Sequence, residues 1–395
     1  MQSVCVYLLV LSVGTLGFSS SGPRPSTSTG YLASLQGGQW VKFISGASNQ
    51  DLPLIRNLCL LYTLAGVDCI DLSADPAVVT AAELGVERAL EIMNGKGGKP
   101  LLMVSVNDDE DPHFRKAWFD PEKCPKDCPR PCERACPANA IYLSPKTSSK
   151  SPTQAQGVVN DRCYGCGRCI PVCPLGIIQG NSYRVNPAII CDLFSSGRVD
   201  AIEIHTQPFK SASFAKLWQD IGESILRSAK VVAVSFPDMG DSTLSHIETL
   251  QNAIHSNQGW PTFNGVQIWQ TDGRPMSGDI GKGTAHSSVA FGHKVLRDIA
   301  TSSVIDISQG RHFVQLAGGT NDYSVTLAKT QGLSSMFGFG GFAYGGFARK
   351  SIGDILRRLE DVRPGTRIED HSIEFELCQE FAKRLVSSVK SSSFV

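Results

Sequence analysis

The chain has 395 residues, 42% hydrophobic and 19% charged, the composition of a globular protein with room for one large domain and a smaller one; disorder and collagen-like structure are excluded. Lys plus Arg and Asp plus Glu each number 37, so the formal charge is zero and no broad surface for nucleic acid or anionic lipid is implied. Of the 13 cysteines, eight fall between Cys124 and Cys173 in two runs with metal-ligand spacing, which points to metal in a reducing compartment rather than to a disulfide scaffold.

In chain order, the first 30 residues hold no Asp or Glu, one Arg (Arg24), seven Ser and three Thr. They read as a removable targeting presequence of the organellar type. The apolar stretch 4–18 has no preceding positive residue and falls short of the ~20 residues that span a bilayer. No other segment qualifies, so no stable membrane span is expected.

From Gln39 onward, eight short apolar runs alternate with segments of helical period, the pattern of βα units around a parallel sheet. The runs are 40–45, 67–73, 101–106, 200–206, 230–236, 265–270, 312–317 and 334–339. Helices are expected to begin near Leu52, Pro76, Pro187, Ser211, Thr243, Ser287, Asn321 and Ser351. Asp75 followed by Pro76 has the form of an N-cap with Pro at the first helical position.

Eight repeats predict a (β/α)8 TIM-like barrel, with an open doubly wound sheet as the alternative. The barrel would be residues 31–106 plus 183–365, about 260 residues against the ~250 typical of the fold. Residues 107–182 lose the βα rhythm and form an insertion after the third strand; 366–395 read as a final helix (372–388) and a Ser-rich tail.

Within the insertion, Cys163-x2-Cys166-x2-Cys169-x3-Cys173-Pro174 has the spacing of a bacterial-type 4Fe-4S ferredoxin run. Gly165 and Gly167 would relieve crowding where three thiolates meet one cluster. Zinc, the competing metal, prefers two separated pairs. The earlier run, Cys124-x3-Cys128-x3-Cys132-x3-Cys136-Pro137, keeps the closing x3-Cys-Pro but not the spacing before it, leaving open a free thiol or an empty half. By analogy with two-cluster ferredoxins, whose halves exchange a cysteine, Cys136, Cys163, Cys166 and Cys169 would hold one cluster and Cys124, Cys128, Cys132 and Cys173 the other. Segments 140–143 and 157–160 would form the hairpin between the halves. Cys59, Cys69, Cys191 and Cys378 lie in helix or strand patterns and read as small apolar residues.

In a barrel the chemistry gathers at the carboxyl ends of the strands, so the insertion would overhang the mouth. Gly318, Gly319 and Thr320 end the seventh strand; Gly338, Gly340 and Gly341 fall in the loop expected after the eighth, with Arg349 and Lys350 beyond. Such loops serve either as turns or as a phosphate site. FMN would be the economical ligand, since a flavin exchanges one electron with clusters and two with substrates; another phosphate-bearing molecule is the alternative. A further loop, 278–284, offers Lys282 as an anion contact without matching the nucleotide-binding pattern. Ser73, Asp75, Asn107, His205, Gln207, Asp238, Gln270 and Asp272 stand at strand ends, with His205 best placed for proton transfer or, equally, for a structural hydrogen bond.

The segments QWVKFISGASNQDLPLIRNLCLLYTLAGVDCIDLSAD, DPHFRKAWFDPEKCPKDCPRPCERACP, DRCYGCGRCIPVCPLGI and DGRPMSGDIGKGT together resemble the LdpA family of cyanobacteria and plastid-bearing eukaryotes, over about residues 37–362. The resemblance implies an iron-sulfur protein that senses cellular redox state, a redox partner protein, and, with the presequence, residence in the chloroplast stroma; a plastid is not expected to hold the clock components to which the cyanobacterial members report. Two functions follow as expectations. The first is a redox protein with two 4Fe-4S clusters sensing or relaying single electrons; the alternative is an oxidoreductase acting on a small molecule at the mouth.

Overall fold

The computed structural model describes residues 30–143, 157–256, 259–273 and 281–390. The presequence 1–30 therefore lies outside the described residues apart from Gly30, as do residues 278–280 of loop 278–284 and the Ser-rich end of the tail.

Helix α1 (Gly30–Gln36) leads into β1 (Trp40–Ile44), α2 (Leu52–Ala65), β2 (Cys69–Ser73), α3 (Pro76–Ile92) and β3 (Leu101–Asn107). The insertion follows, with β4 (Arg115–Trp118), α4 (Pro131–Ala135), β5 (Ile141–Tyr142), β6 (Gly157–Val158), α5 (Cys169–Val172) and β7 (Gln179–Ser182). The βα rhythm then resumes as α6 (Pro187–Ser195), β8 (Ala201–His205), α7 (Ser211–Ser228), β9 (Val231–Pro237), α8 (Thr243–His255), β10 (Val266–Asp272), α9 (Thr284–Ala300), β11 (His312–Ala317), α10 (Ser324–Thr330), β12 (Phe339–Tyr344) and α11 (Gly346–Val362). Helix α12 (Ser372–Lys390) packs on α2. Local chemistry sets several starts: Asp51, Asp75 and Asn186 each cap a helix whose first turn carries Pro.

Eight strands close a parallel barrel in the order β1-β12-β11-β10-β9-β8-β3-β2. Pairing of β1 with β12, Trp40 opposite Gly341 through Phe43 opposite Tyr344, removes the open-sheet alternative. Residues alternate along each strand, so Val41 and Phe43 face the helical layer while Trp40 and Lys42 turn inward. The lower interior is apolar, filled by Trp40, Met103, Val231, Ile268 and Phe313 and plugged by Leu35 of α1. The upper interior is polar.

The last strand corrects the expected run 334–339. Leu333–Ser335 is a 3-10 turn, and the strand is the glycine-rich segment after it. Gly341 has φ +144, and a Cβ there would stand 2.1 Å from the Trp40 carbonyl oxygen, so only glycine lets β12 approach β1. Gly340 packs on Leu35 and Phe313, and Gly338 sits near the start of β12 beside His312 and Ile307. These three glycines are therefore not at the mouth; Gly345 and Gly346 occupy the loop that leaves β12.

Candidate metal centre and barrel mouth

The insertion is tied off at its base by an antiparallel ribbon, Arg115 opposite Ser182 through Trp118 opposite Gln179. β5 pairs antiparallel with β6, the expected hairpin. A small core of Ala117, Phe119, Ala140, Ile141, Leu143 and Ile178 encloses the cysteines. Despite their different spacing, the two runs end alike: Cys132 lies in α4 and Cys136 caps it, while Cys169 opens α5 and Cys173 caps that helix.

The eight cysteines gather around two chambers. Cys136, Cys163, Cys166 and Cys169 line one, with Ala117, Ala138 and Ile141; Cys124, Cys128, Cys132 and Cys173 line the other, with Phe119, Leu143 and Ile178. Each run lends its last cysteine to the other chamber. Each chamber thus presents four sulfurs inside apolar walls, a donor set that fits an iron-sulfur group. Backbone N–H groups point at the sulfurs: Ala117 donates to Cys163 Sγ at 3.4 Å and Ala140 to Cys136 Sγ at 3.3 Å. Burial pushes the Cys169 thiol up to about 12 and raises Cys136 and Cys166, so four thiolates share a chamber only with a cation between them. At Cys173 burial also raises the thiol, but N–H bonds from the backbone of residues 175–178 outweigh it and the net shift is downward.

Gly165 and Gly167 adopt φ +72 and +75, and a Cβ at either would strike Arg115. Cys59, Cys69 and Cys378 are buried in the barrel layers and Cys191 is half-buried, all far from these chambers in their packing.

The first chamber adjoins the barrel mouth, because Tyr164 and Cys166 line both. The mouth pocket has a floor of Asp71, Glu203, His205, Gln270 and Asp272. Glu203 is its hub: it pairs with Lys42, accepts from Gln270 Nε2 at 2.6 Å and meets His205 Nε2 at 3.0 Å. Gln315 donates to Gln270 Oε1 at 2.7 Å and receives Trp40 Nε1 at 2.6 Å, while Ser105 donates to Asp71 at 2.7 Å. Burial alone would lower His205, yet Glu203, with Asp111 and Asp272, carries it up to about 9. Burial would raise Glu203, yet Lys42 and His205 hold it well below the carboxylate range. Asp71, buried and beside Glu203, rises to about 6. His113 joins from the insertion, its ring 4.8 Å from that of His205 and its Nδ1 2.7 Å from Asp111.

Opposite the floor stand Gly318, Gly319 and Thr320 after β11 and Gly345, Gly346, Arg349 and Lys350 after β12. Gly318 and Gly319 have φ +59 and +100, and no side chain caps the N-terminus of α11. Arg349 donates from Nη1 to the Ile44 carbonyl at 2.8 Å and lies 4.6 Å above the Tyr164 ring.

A family model described as the LdpA Fe-S cluster-binding domain matches residues 124–184, and one described as the light dependent period A C-terminal domain matches 193–388. A relative named Light dependent period A, from Synechococcus elongatus, is 44% identical over 336 residues, 84% of this chain and 86% of that protein. The chain belongs to the LdpA family. It is an iron-sulfur protein by that membership and by its cysteine chambers. Solved structures of tryptophan synthase from M. tuberculosis, in two bound forms, align at 9% identity, one covering 92% of this chain and 98% of that one with a TM-score of 0.38, the other 93% and 99% with 0.34. At that likeness the barrel assignment rests on the strand order itself.

In this LdpA-family chain, His205, Gln270 and Asp272 reach the pocket, whereas Asp75 caps α3, Asn107 holds the Tyr183 carbonyl, Gln207 donates to Asp111 and Asp238 accepts from Gly240. Ser73 and Lys282 do not line it. Lys42, Asp71 and Glu203 were missed. Their signal was a charged residue at an inward position of an otherwise apolar strand. Among the described residues no helix is long and apolar enough to cross a membrane.

Proposed function

We propose that the protein holds two 4Fe-4S clusters, one per chamber, and senses or relays single electrons. The observation that carries this reading is the pair of four-cysteine chambers, each completed by a cysteine from the other run. The resident clusters supply one-electron chemistry; the chain supplies thiolates, apolar walls and N–H groups that tune potential. Trp118, Val172 and Leu175 are exposed on the insertion, and Leu175 lines the chamber of Cys124 and Cys173, which favours that side for a redox partner protein. Anaerobic purification of the full chain with iron and sulfide counts and EPR of the reduced form tests the reading. About eight irons per chain are expected, and about four would overturn the two-cluster assignment.

The presequence supports a plastid stromal location, tested by fusing residues 1–30 to a fluorescent reporter in a plastid-bearing cell; a signal that stays outside the plastid overturns it. A second reading is an oxidoreductase that holds FMN or another phosphate-bearing molecule at the mouth. It is favoured by Tyr164 and Cys166, which face both the cluster chamber and the pocket.

A further inference from the structure

The mouth pocket is electrostatically two-ended. Its floor carries Asp71, Glu203 and Asp272, and its rim carries Arg349 and Lys350. On the floor Lys42 and His205 already face Glu203, whereas the rim cations have no carboxylate beside them in the lining, so an anionic group is drawn to the rim.

The rim has the groups a phosphate needs. Gly318 and Gly319 hold positive φ and leave the rim backbone bare of side chains, and no side chain caps the N–H groups at the start of α11. Arg349 is oriented by its bond to the Ile44 carbonyl, and its Nε is buried without a partner among the described residues. The floor presents a second donor: the His205 side chain is 7% exposed, gives Nε2 to Glu203, and keeps Nδ1 4.0 Å from Asp111 Oδ1, beyond hydrogen-bond reach. Glu203 is already occupied by Lys42 and Gln270, which fixes the imidazole in place. Ile44, Ala317, Phe347 and Tyr164 give the pocket an apolar part to its lining.

We infer that this pocket binds a phosphate-bearing organic molecule, its phosphate on the Gly318–Thr320 and Gly346 backbone beside Arg349 and a hydrogen-bond acceptor of its organic part on Nδ1 of His205. The inference rests on the second reading above and gives that site its ligand class and orientation.

Equilibrium dialysis of the anaerobic holoprotein against FMN and riboflavin, probes that differ by the phosphate, tests it, with inorganic phosphate as competitor. FMN is expected to bind at least tenfold more tightly than riboflavin and to be displaced by phosphate. Arg349→Gln should bring that ratio near one without weakening riboflavin, and the exposed Lys350→Gln should reduce it in a chain whose packing is untouched. His205→Gln should weaken both probes about tenfold and keep the ratio. Absence of binding by both FMN and inorganic phosphate, or a ratio indifferent to Arg349, overturns the inference. Iron counted on the same samples separates the two claims: eight irons without probe binding sinks this site and leaves the clusters, whereas an Arg349-dependent ratio on an iron-poor chain sinks the clusters and leaves the site.

Discussion

Lys42 on β1 and Glu203 on β8 form an ion pair inside the barrel, with side chains 0% and 1% exposed. Removing one member of such a pair strands the other, at a cost of about 3–5 kcal/mol, while replacing both by apolar residues is often neutral. Lys42→Met should therefore lower stability by about that amount, and Lys42→Met with Glu203→Leu should recover most of it. Denaturant unfolding followed by tryptophan fluorescence measures the difference; a single variant as stable as the parent would contradict the pairing.

Cys166→Ser is expected to lose the cluster of the chamber that adjoins the mouth and to leave the barrel folded, because the barrel core contains none of its neighbours. Iron should fall by about half, with one EPR component lost. Cys128→Ser should remove the other component. Identical spectra from the two variants would mean that the chambers do not bind separately.

At Gly341 the positive φ and the 2.1 Å approach to the Trp40 oxygen leave no room for a methyl group. Gly341→Ala should cost more than about 2 kcal/mol, combining backbone strain with displacement of the β1–β12 pairing. Gly176→Ala, at φ +63 with open space around its Cβ, serves as the comparison and should cost less. Equal losses would show that φ alone, not the contact, sets the effect.

His205 rises from 6.5 to about 9 in the folded chain, so its contribution to stability is complete below pH 6.5 and fades as pH climbs through about 9. Asp71 and Asp108, which burial raises to about 6 and 7, are likewise favoured in their protonated forms; their contributions are present below 3.8 and lost on the way up, largely before His205 titrates. Unfolding midpoints should thus fall between pH 7 and 9, and His205→Gln should flatten that segment. A parent curve that rises there would reverse the assignment.

Most of the barrel was legible because parallel strands buried on both faces read as apolar runs, and because Asp75-Pro76 and Asn186-Pro187 mark helix starts in plain residue chemistry. The eighth strand was not, since Phe339–Tyr344 owes its place to glycines that admit the Trp40 backbone, a contact 300 residues away in sequence that no local pattern announces. Cysteine spacing located the metal-binding loops, but the β4–β7 ribbon, made of Arg115–Trp118 and the polar Gln179–Ser182, carries no apolar alternation to betray it. Of the Lys42–Glu203–His205 cluster only His205, at a strand end, is legible; Lys42 and Glu203 lie inside strands that read as apolar runs.

The ribbon has a consequence for how the barrel assembles. Neighbouring strands β3 and β8 pair across the whole insertion, and closing so long a loop carries an entropic penalty that grows with its length. Once Arg115–Trp118 zips onto Gln179–Ser182, the chain between the two strands behaves as two short tethers, and the penalty falls accordingly. The cysteine-bearing unit thus acts as a clasp during folding: whatever knits it together brings the two halves of the barrel within reach of each other.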